Sequence, residues 1–320
     1  TLIKHHGITI MIKSTEWNIE WKLEIKNAEK IISEINNLKE EKNAIILAHY
    51  YQTSDIQDIA DFVGDSLALS QKAASNNADI ILFAGVKFMA ETAKILAPDK
   101  KILLPDINAG CSLSDSCKPV DFKKFINDNP GRTVVTYVNT SAEVKALSDI
   151  ICTSSNAVQI VESLPPDEKI IFAPDRNLGN YVLNKTGRDI LIWNGTCHVH
   201  EEFSLEAILK LKDVNREAKI IVHPECELPV RMVADFIGST SALLQYTKKD
   251  KANCYIVGTE PGIIHQMKKE NPEKTYIPAP PRDSTCACSE CGFMKLITIE
   301  KIVNCLKNEA PEILLNQDVL

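Results

Sequence analysis

Ten cysteines stand in this chain of 320 residues, and the spacing of five of them is the first chemical signal. Cys111 closes INAGC, Cys197 closes NGTC, and Cys286, Cys288 and Cys291 stand together in STCACSEC. The first two are 86 positions apart, and the third group follows 89 to 94 positions later. Three thiolates brought to one point suit an iron–sulfur cluster or a zinc ion. Fe–S clusters commonly take four thiolates, so three leave one iron open to water or substrate. Such an iron is a Lewis acid toward a carbonyl, carboxylate or hydroxyl group. Cys288 and Cys291 also make a C-x-x-C pair, which fits zinc, a redox dithiol or a cluster loop. No second C-x-x-C completes a structural zinc site. Cys152 and Cys254 fall in apolar strand patterns and Cys305 on a helical stripe, so these three read as core. Cys117 and Cys226 have no counterparts at the same spacing.

Polar residues cluster where apolar runs end, which is where ligands bind in parallel α/β units. His49 and Tyr51, Tyr137 and Asn139, and His223 and Glu225 form three such pairs. His, Tyr and Glu together supply acids and bases for proton transfer near neutral pH. The turns GDS (64–66), CTS (152–154) and GST (238–240) precede helical patterns. Their hydroxyls and the following N–H groups suit carboxylate or phosphate oxygens, although plain N-capping explains each one equally well. His198 and His200 follow Cys197 in GTCHVH, either as partners of a ligand thiol or as surface residues.

The elements that must position these groups repeat. YQTSDIQDIADFVGDS (51–66), NTSAEVKALSDIICTS (139–154) and ECELPVRMVADFIGST (225–240) align without gaps. In each, a strand ends in polar residues, a helix follows, and Asp61-Phe62, Asp149-Ile150 or Asp235-Phe236 precedes a small polar turn. A strand near 80, 170 or 255, a helix, and a strand starting near 101, 189 or 275 complete each unit, and cysteine follows. The runs at 44–49, 79–85, 101–106, 133–139, 169–175, 189–195, 219–225 and 253–260 are continuous in Ile, Val and Leu. That pattern predicts parallel strands covered on both faces. The expected fold is α/β, with three similar parallel-sheet domains around a pseudo-threefold axis and a central active site. The domains are read as 11–113, 114–200 and 201–291, with a C-terminal helix in 292–320 packing on the first. An amphipathic helix precedes the first unit, its stripe drawn by Trp17, Trp21, Ile25, Ala28, Ile32, Ile35 and Leu38. IPAPPRD (277–283) reads as irregular loop. Residues 1–10 precede Met11 and are left out of the fold reading.

Bulk composition narrows the function classes. With 44% hydrophobic and 25% charged residues, the chain is globular rather than disordered. Thirty-six basic against 43 acidic residues give −7. Binding to nucleic-acid phosphate needs the opposite balance, and no Lys/Arg run restores it. No apolar run has the length of a bilayer span and no secretory signal is evident, so a cytoplasmic location is expected. In a reducing cytosol the thiols are expected free.

AHYYQTSDIQDIADFVGDSLALS, GVKFMAETAKIL, YVNTSAEVKALSDIICTSSNAV, FAPDRNLGNYV, CHVH, VHPEC, DFIGST and CGFMK together resemble the quinolinate synthase family of bacteria and archaea, over about residues 40–305. The resemblance implies a [4Fe-4S] cluster held by Cys111, Cys197 and Cys291, with one iron open. Cys291 is chosen because it directly precedes GFM; spacing alone leaves Cys286 and Cys288 equal to it. The implied reaction condenses iminoaspartate with dihydroxyacetone phosphate to quinolinate, phosphate and water on the route to NAD, the open iron assisting dehydration. Coupling to L-aspartate oxidase is implied as well. His49, Tyr51 and Glu225 match positions associated with proton transfer. Ser66, Tyr137, Asn139, Ser154, His200, His223, Ser239 and Thr240 match the cavity that holds carboxylate and phosphate. Tyr50 departs from the Asn that many members carry there. Two other readings are a diphthamide-synthesis-like radical enzyme and a non-enzymatic iron–sulfur sensor.

Overall fold

A computed structural model of the chain describes residues 2–5, 8–11, 29–283 and 289–316. Trp17, Trp21, Ile25, Ala28, Cys286 and Cys288 lie outside them.

Three four-stranded parallel sheets carry the architecture. The first holds Ala44–His49, Phe62–Gly64, Ile80–Ala84 and Lys101–Leu103; the second holds Thr133–Tyr137, Ile150–Cys152, Ile170–Ala173 and Ile190–Ile192. Lys219–Val222, Phe236–Ile237, Cys254–Gly258 and Thr275–Pro278 make the third. Every sheet has the same spatial order, with the second strand at one edge, then the first, third and fourth. The two central strands of each unit are the apolar runs. Ile46, Leu47, Ala48, Ile81, Leu82 and Ala84 are fully buried, as strands covered on both faces must be. Side chains alternate across the sheet. In the third unit Ile220, Val222 and Ile256 join the cluster on one face, and Ile221, Tyr255 and Val257 join that on the other.

The recurring Asp proves to be a strand clamp. Asp61, Asp149 and Asp235 each accept the backbone N–H of a residue in the first strand of the same unit: Ile46 at 2.7 Å, Val134 at 2.8 Å and Ile220 at 2.8 Å. The backbone N–H of each Asp returns a bond to the carbonyl of that same residue. The residue after each Asp opens a short edge strand, where the sequence pattern showed only a pair before a turn. Two or three residues carry too little apolar periodicity to declare a strand.

The helix before the first sheet is present over 29–41. Ile35 is fully buried and Leu38 packs on the core, but Ile32 is 44% exposed and leaves the expected stripe. Helix Ile299–Asn308 buries Ile302, Val303, Cys305 and Leu306. The chain beyond it hydrogen-bonds to the first sheet, Leu104 N–H to Pro311 O at 3.1 Å and Ile313 N–H to Ile102 O at 2.8 Å. Ile277 and Pro278 belong to an edge strand rather than to a loop, where proline is tolerated because one side of the ladder is open. Cys152 and Cys305 are buried as expected, whereas Cys254 is only half-buried on its strand. Residues Leu2–His5 and Ile8–Met11 pair as an antiparallel ribbon. Among the described residues no helix is long and apolar enough to cross a membrane.

Candidate active site between the three units

The carboxyl ends of the three sheets face one cavity with about 640 Å³ of space between protein atoms, part of it open to solvent. His49, Tyr51, Tyr137, Asn139, His223 and Glu225 line it, so the three polar pairs at the first-strand ends do converge. Cys111, Cys197 and Cys291 line it as well, one from each unit. Cys111 and Cys197 follow the fourth strand of their units and directly precede a short helical turn, and Cys291 stands three residues before the turn Met294–Leu296.

Two of the polar pairs share a local geometry. The backbone N–H of Tyr51 donates to Nδ1 of His49 at 3.2 Å, and that of Glu225 donates to Nδ1 of His223 at 3.3 Å. An Nδ1 that accepts assigns the proton of the neutral ring to Nε2. In His223 that nitrogen stands 3.1 Å from Ser154 Oγ. Burial pulls His49 down to about 4 and His223 to about 3, so both rings are neutral at pH 7.

Glu225 is the electrostatic centre. It is 2% exposed, and Tyr137 Oη donates to its Oε1 at 2.6 Å. Burial alone would raise its pKa, but the neighbouring imidazoles, His200 foremost, and the Tyr137 hydroxyl oppose that and hold it below the usual carboxylate range. Oε2 lies 3.1 Å from His200 Nδ1, out of line for a hydrogen bond, and has no hydrogen-bond partner. His200 Nδ1 is also 3.3 Å from Cys197 Sγ, and its Nε2 is 3.0 Å from Thr259 Oγ1. Thr259 then joins Tyr51 Oη at 2.7 Å, and Tyr51 Oη meets Thr240 Oγ1 at 3.0 Å. One hydroxyl chain therefore links Thr240, Tyr51, Thr259 and His200.

Ser66 and Thr240, the first residues of helices Ser66–Ala74 and Thr240–Lys249, also line the cavity, with Ser154 and Ser155 between them. Helix N-termini present free N–H groups and favour anions. The capping reading holds too: Asp65 and Ser239 accept the N–H of Ala68 and Ala242. Ser239 is buried but does not line the cavity; its hydroxyl meets Ser155 Oγ at 2.9 Å, and Ser155 donates to Asp65 at 3.2 Å. The three turns thus touch one another between the units. Asn139 lines the cavity with its Oδ1 buried and unbonded, an acceptor without a donor.

His200 and His198 part company. His200 faces the cavity, whereas His198 Nδ1 meets Ser112 Oγ at 2.8 Å and ties the Cys197 loop to the Cys111 loop. Tyr50 packs into the third unit's core instead of lining the site. Sequence reading missed Thr259 and Glu260, because it took polar pairs only from first-strand ends. The signal was the GTE that closes the third strand of the third unit.

The donor set suits a metal-bearing group. All eight described cysteines are free thiols. Burial pushes Cys111 up to about 12 and raises Cys197 and Cys291 as well. Cys197 is opposed further by Glu225 and by the other two thiols. Buried sulfurs that resist ionisation while facing one space call for a positive partner, and metal binding supplies one by displacing their protons. Sγ of Cys197, a ring nitrogen of His200 and a carboxylate oxygen of Glu225 lie within 4.8 Å of one another and could also hold a metal ion.

The family described as "Quinolinate synthetase A protein" matches residues 33–320. The quinolinate synthase of Microcystis aeruginosa is 59% identical over 289 residues, covering 90% of each chain. That of Thermosynechococcus vestitus is 58% identical over 289 residues, 90% of this chain and 91% of its own. That of a Synechocystis species is 59% identical over 285 residues, 89% of each. With similarity that spans three sheets, the cavity and all three cavity cysteines, the chain belongs to the quinolinate synthetase A family.

Proposed function

We propose that the chain makes quinolinate for NAD synthesis, condensing iminoaspartate with dihydroxyacetone phosphate and releasing phosphate and water. The observation that carries this reading is the convergence of three polar strand-end pairs and three thiols on one cavity. Hydroxyls and N–H groups at the helix starts suit carboxylate or phosphate oxygens of a substrate. In this reading Ser66, Ser154, Thr240 and Asn139 hold carboxylate and phosphate oxygens, with Ser239 behind them. Tyr137, His200 and His223 orient Glu225.

Proton transfer falls to three residues. Glu225 keeps its carboxylate ionised and accepts a proton at the unbonded Oε2. His49, neutral with its proton on Nε2, assists by offering that N–H as a hydrogen-bond donor to charge that develops in the cavity. Tyr51 sits in the hydroxyl chain and passes a proton between Thr259 and substrate. Cys111, Cys197 and Cys291 would hold a [4Fe-4S] cluster, which when bound supplies a Lewis-acidic iron for loss of hydroxide during dehydration. Membership in an enzyme family weighs against a sensor. The free thiols suit a reducing cytoplasm. The lability of iminoaspartate suits supply by an L-aspartate oxidase. The repeat limits 11–113, 114–200 and 201–291 belong to the same proposal.

The test is an anaerobic assay with iminoaspartate and dihydroxyacetone phosphate on cluster-reconstituted protein. Quinolinate that appears, and is lost on exposure to air, supports the reaction and the cluster together. Its absence from brown, iron-loaded protein overturns the substrate assignment. The convergence of Cys197, His200 and Glu225 favours a second reading, a mononuclear ion. Metal analysis separates them: one zinc per chain, unaffected by loss of Cys111, would replace the cluster reading.

A further inference from the structure

Tyr51 stands in the turn between strand Ala44–His49 and helix Ser54–Ile59. Carbonyls there lie outside ladder and helix, so buried ones need another donor. Side chains from two directions supply it. The amide of Gln57, 2% exposed, donates to Tyr50 O at 3.0 Å, to Gln52 O at 2.9 Å and to Gly262 O at 2.9 Å. The carbonyl between the first two, that of Tyr51 itself, is left to Lys295, whose Nζ donates to it at 2.7 Å.

Lys295 ends the CGFMK run that opens with Cys291. It lies in the tight turn Met294–Leu296, and its N–H donates to Cys291 O at 3.2 Å, so lysine and thiol ride on one turn of chain. The same turn buries Met294, whose Sδ accepts from Gln52 Nε2 at 3.5 Å. Lys295 Nζ also stands 2.8 Å from Oε1 of Glu260, a fully buried carboxyl group at the cavity wall. Oε2 of Glu260 accepts Gly262 N–H at 2.7 Å. A Cβ on Gly262 would stand 2.7 Å from Tyr50 O and 2.9 Å from Gln52 O, so only glycine lets the third unit come this close to the Tyr51 turn.

These contacts close into a circuit. Lys295 holds the Tyr51 carbonyl, the Tyr51 hydroxyl meets Thr259 Oγ1 at 2.7 Å, Glu260 follows Thr259 in the chain, and Glu260 pairs with Lys295. Tyr51 is thereby fixed at both ends, at its carbonyl by the segment that carries Cys291 and at its hydroxyl by the third unit. A buried carboxylate needs a cation to offset its desolvation, which accounts for the Glu260 pair. It does not account for the bond to Tyr51. That bond matters to a hydroxyl that must meet two partners at hydrogen-bond distance, because a small displacement of its backbone separates them.

We propose that Lys295 is a positioning residue for Tyr51: by bridging Glu260 and the Tyr51 carbonyl, it ties the Cys291-bearing segment to the hydroxyl chain that Tyr51 shares with Thr259 and Thr240. Its catalytic consequence rests on the reading of Tyr51 as a proton-transfer residue.

The test uses the full chain, metal-free and anaerobic, with 3-fluorotyrosine in place of its seven tyrosines and each signal read by fluorine NMR. The Tyr51 signal is the one missing from Tyr51→Phe. Lys295→Met keeps the length of the side chain and removes both contacts. It is expected to move the Tyr51 signal and to leave those of Tyr181 and Tyr246 in place. Lys295→Arg, which keeps a cation with several donors, is expected to bring the signal back. Since Lys295→Met strands the Glu260 charge, the double variant with Glu260→Gln is compared with Glu260→Gln alone, and the same displacement of Tyr51 is expected. That pair also serves if the single variant fails to fold. In cluster-reconstituted protein, Lys295→Met is expected to lower kcat for quinolinate about 10-fold with KM nearly unchanged, and Lys295→Arg to restore most of it. A Tyr51 signal that keeps its wild-type position without Lys295, or a shift shared equally by all seven signals in both methionine variants, would overturn the proposal. Wild type that forms no quinolinate would refute the reaction assigned to the cavity, and the Tyr51 signal would still decide the positioning.

Discussion

In the first unit the N–H of Tyr51 donates to Nδ1 of His49, and in the third the N–H of Glu225 donates to Nδ1 of His223. The second unit places Tyr137 and Asn139 at the same strand end, with no imidazole and an amide oxygen left unbonded. The three backbones share strand order, Asp clamp and thiol-bearing loop. What differs is which side chain stands at each equivalent point. At the first-strand ends a symmetric scaffold has thus been given an asymmetric cavity wall: imidazoles and a carboxylate from the first and third units, and hydrogen-bonding groups from the second.

Breaking that contrast at its strongest point should have the largest effect. Glu225→Gln keeps the shape of the third-unit pair and removes its charge. Turnover is expected to fall about 1,000-fold, while bound iron stays at the wild-type level. Anaerobic quinolinate assay and iron analysis check this, and an unimpaired variant would remove Glu225 from proton transfer.

Acid titration sharpens the same contrast. His49 and His223 are held neutral by burial, while in the unfolded chain they bind protons below about 6.5. Their contribution to stability is therefore complete above that pH and declines as pH falls toward 4. Full loss for His49 alone amounts to about 3 kcal/mol. Thermal unfolding from pH 7 to 4 should show this slope. His49→Asn should flatten it, and Asn139→Ala in the second unit should leave it unchanged.

The second unit is the place for a binding defect without a proton-transfer defect. Asn139→Ala should raise KM about 10-fold, the effect of losing one hydrogen bond to a charged ligand, with a much smaller change in kcat. Steady-state kinetics with each substrate varied will show which one meets the amide. The smallest effects belong to the feature that all three units share. Asp61→Ala, Asp149→Ala and Asp235→Ala should each cost about 1 kcal/mol, because each loses one strand-clamping bond at the exposed edge of a sheet. Unfolding by urea, at unchanged KM, measures it.

Much of the scaffold was legible because it is written in patterns that repeat. Continuous apolar runs declared the central strands, and the recurrent Asp aligned the units before its role as a clamp was visible. The edge strands were too short to declare themselves, and Ile32 left its stripe because the face it occupies is not covered. In the site, the strand-end pairs and the thiol spacing were readable for the same reason as the strands. Thr259 was not, because its importance lies in contacts to Tyr51, 208 positions away, and to His200, 59 positions away.

The sequence by itself determined three α/β units, because local apolar periodicity and a repeated register need no knowledge of distant neighbours. It also determined that each unit delivers a thiol and a polar strand end in the same place. Only the tertiary structure decided that His200 faces inward while His198 ties two loops together, and that Ser239 stands behind the cavity wall. Those outcomes depend on how three separately encoded units pack against one another. A side chain's burial, protonation and partners are set by groups that only packing brings near.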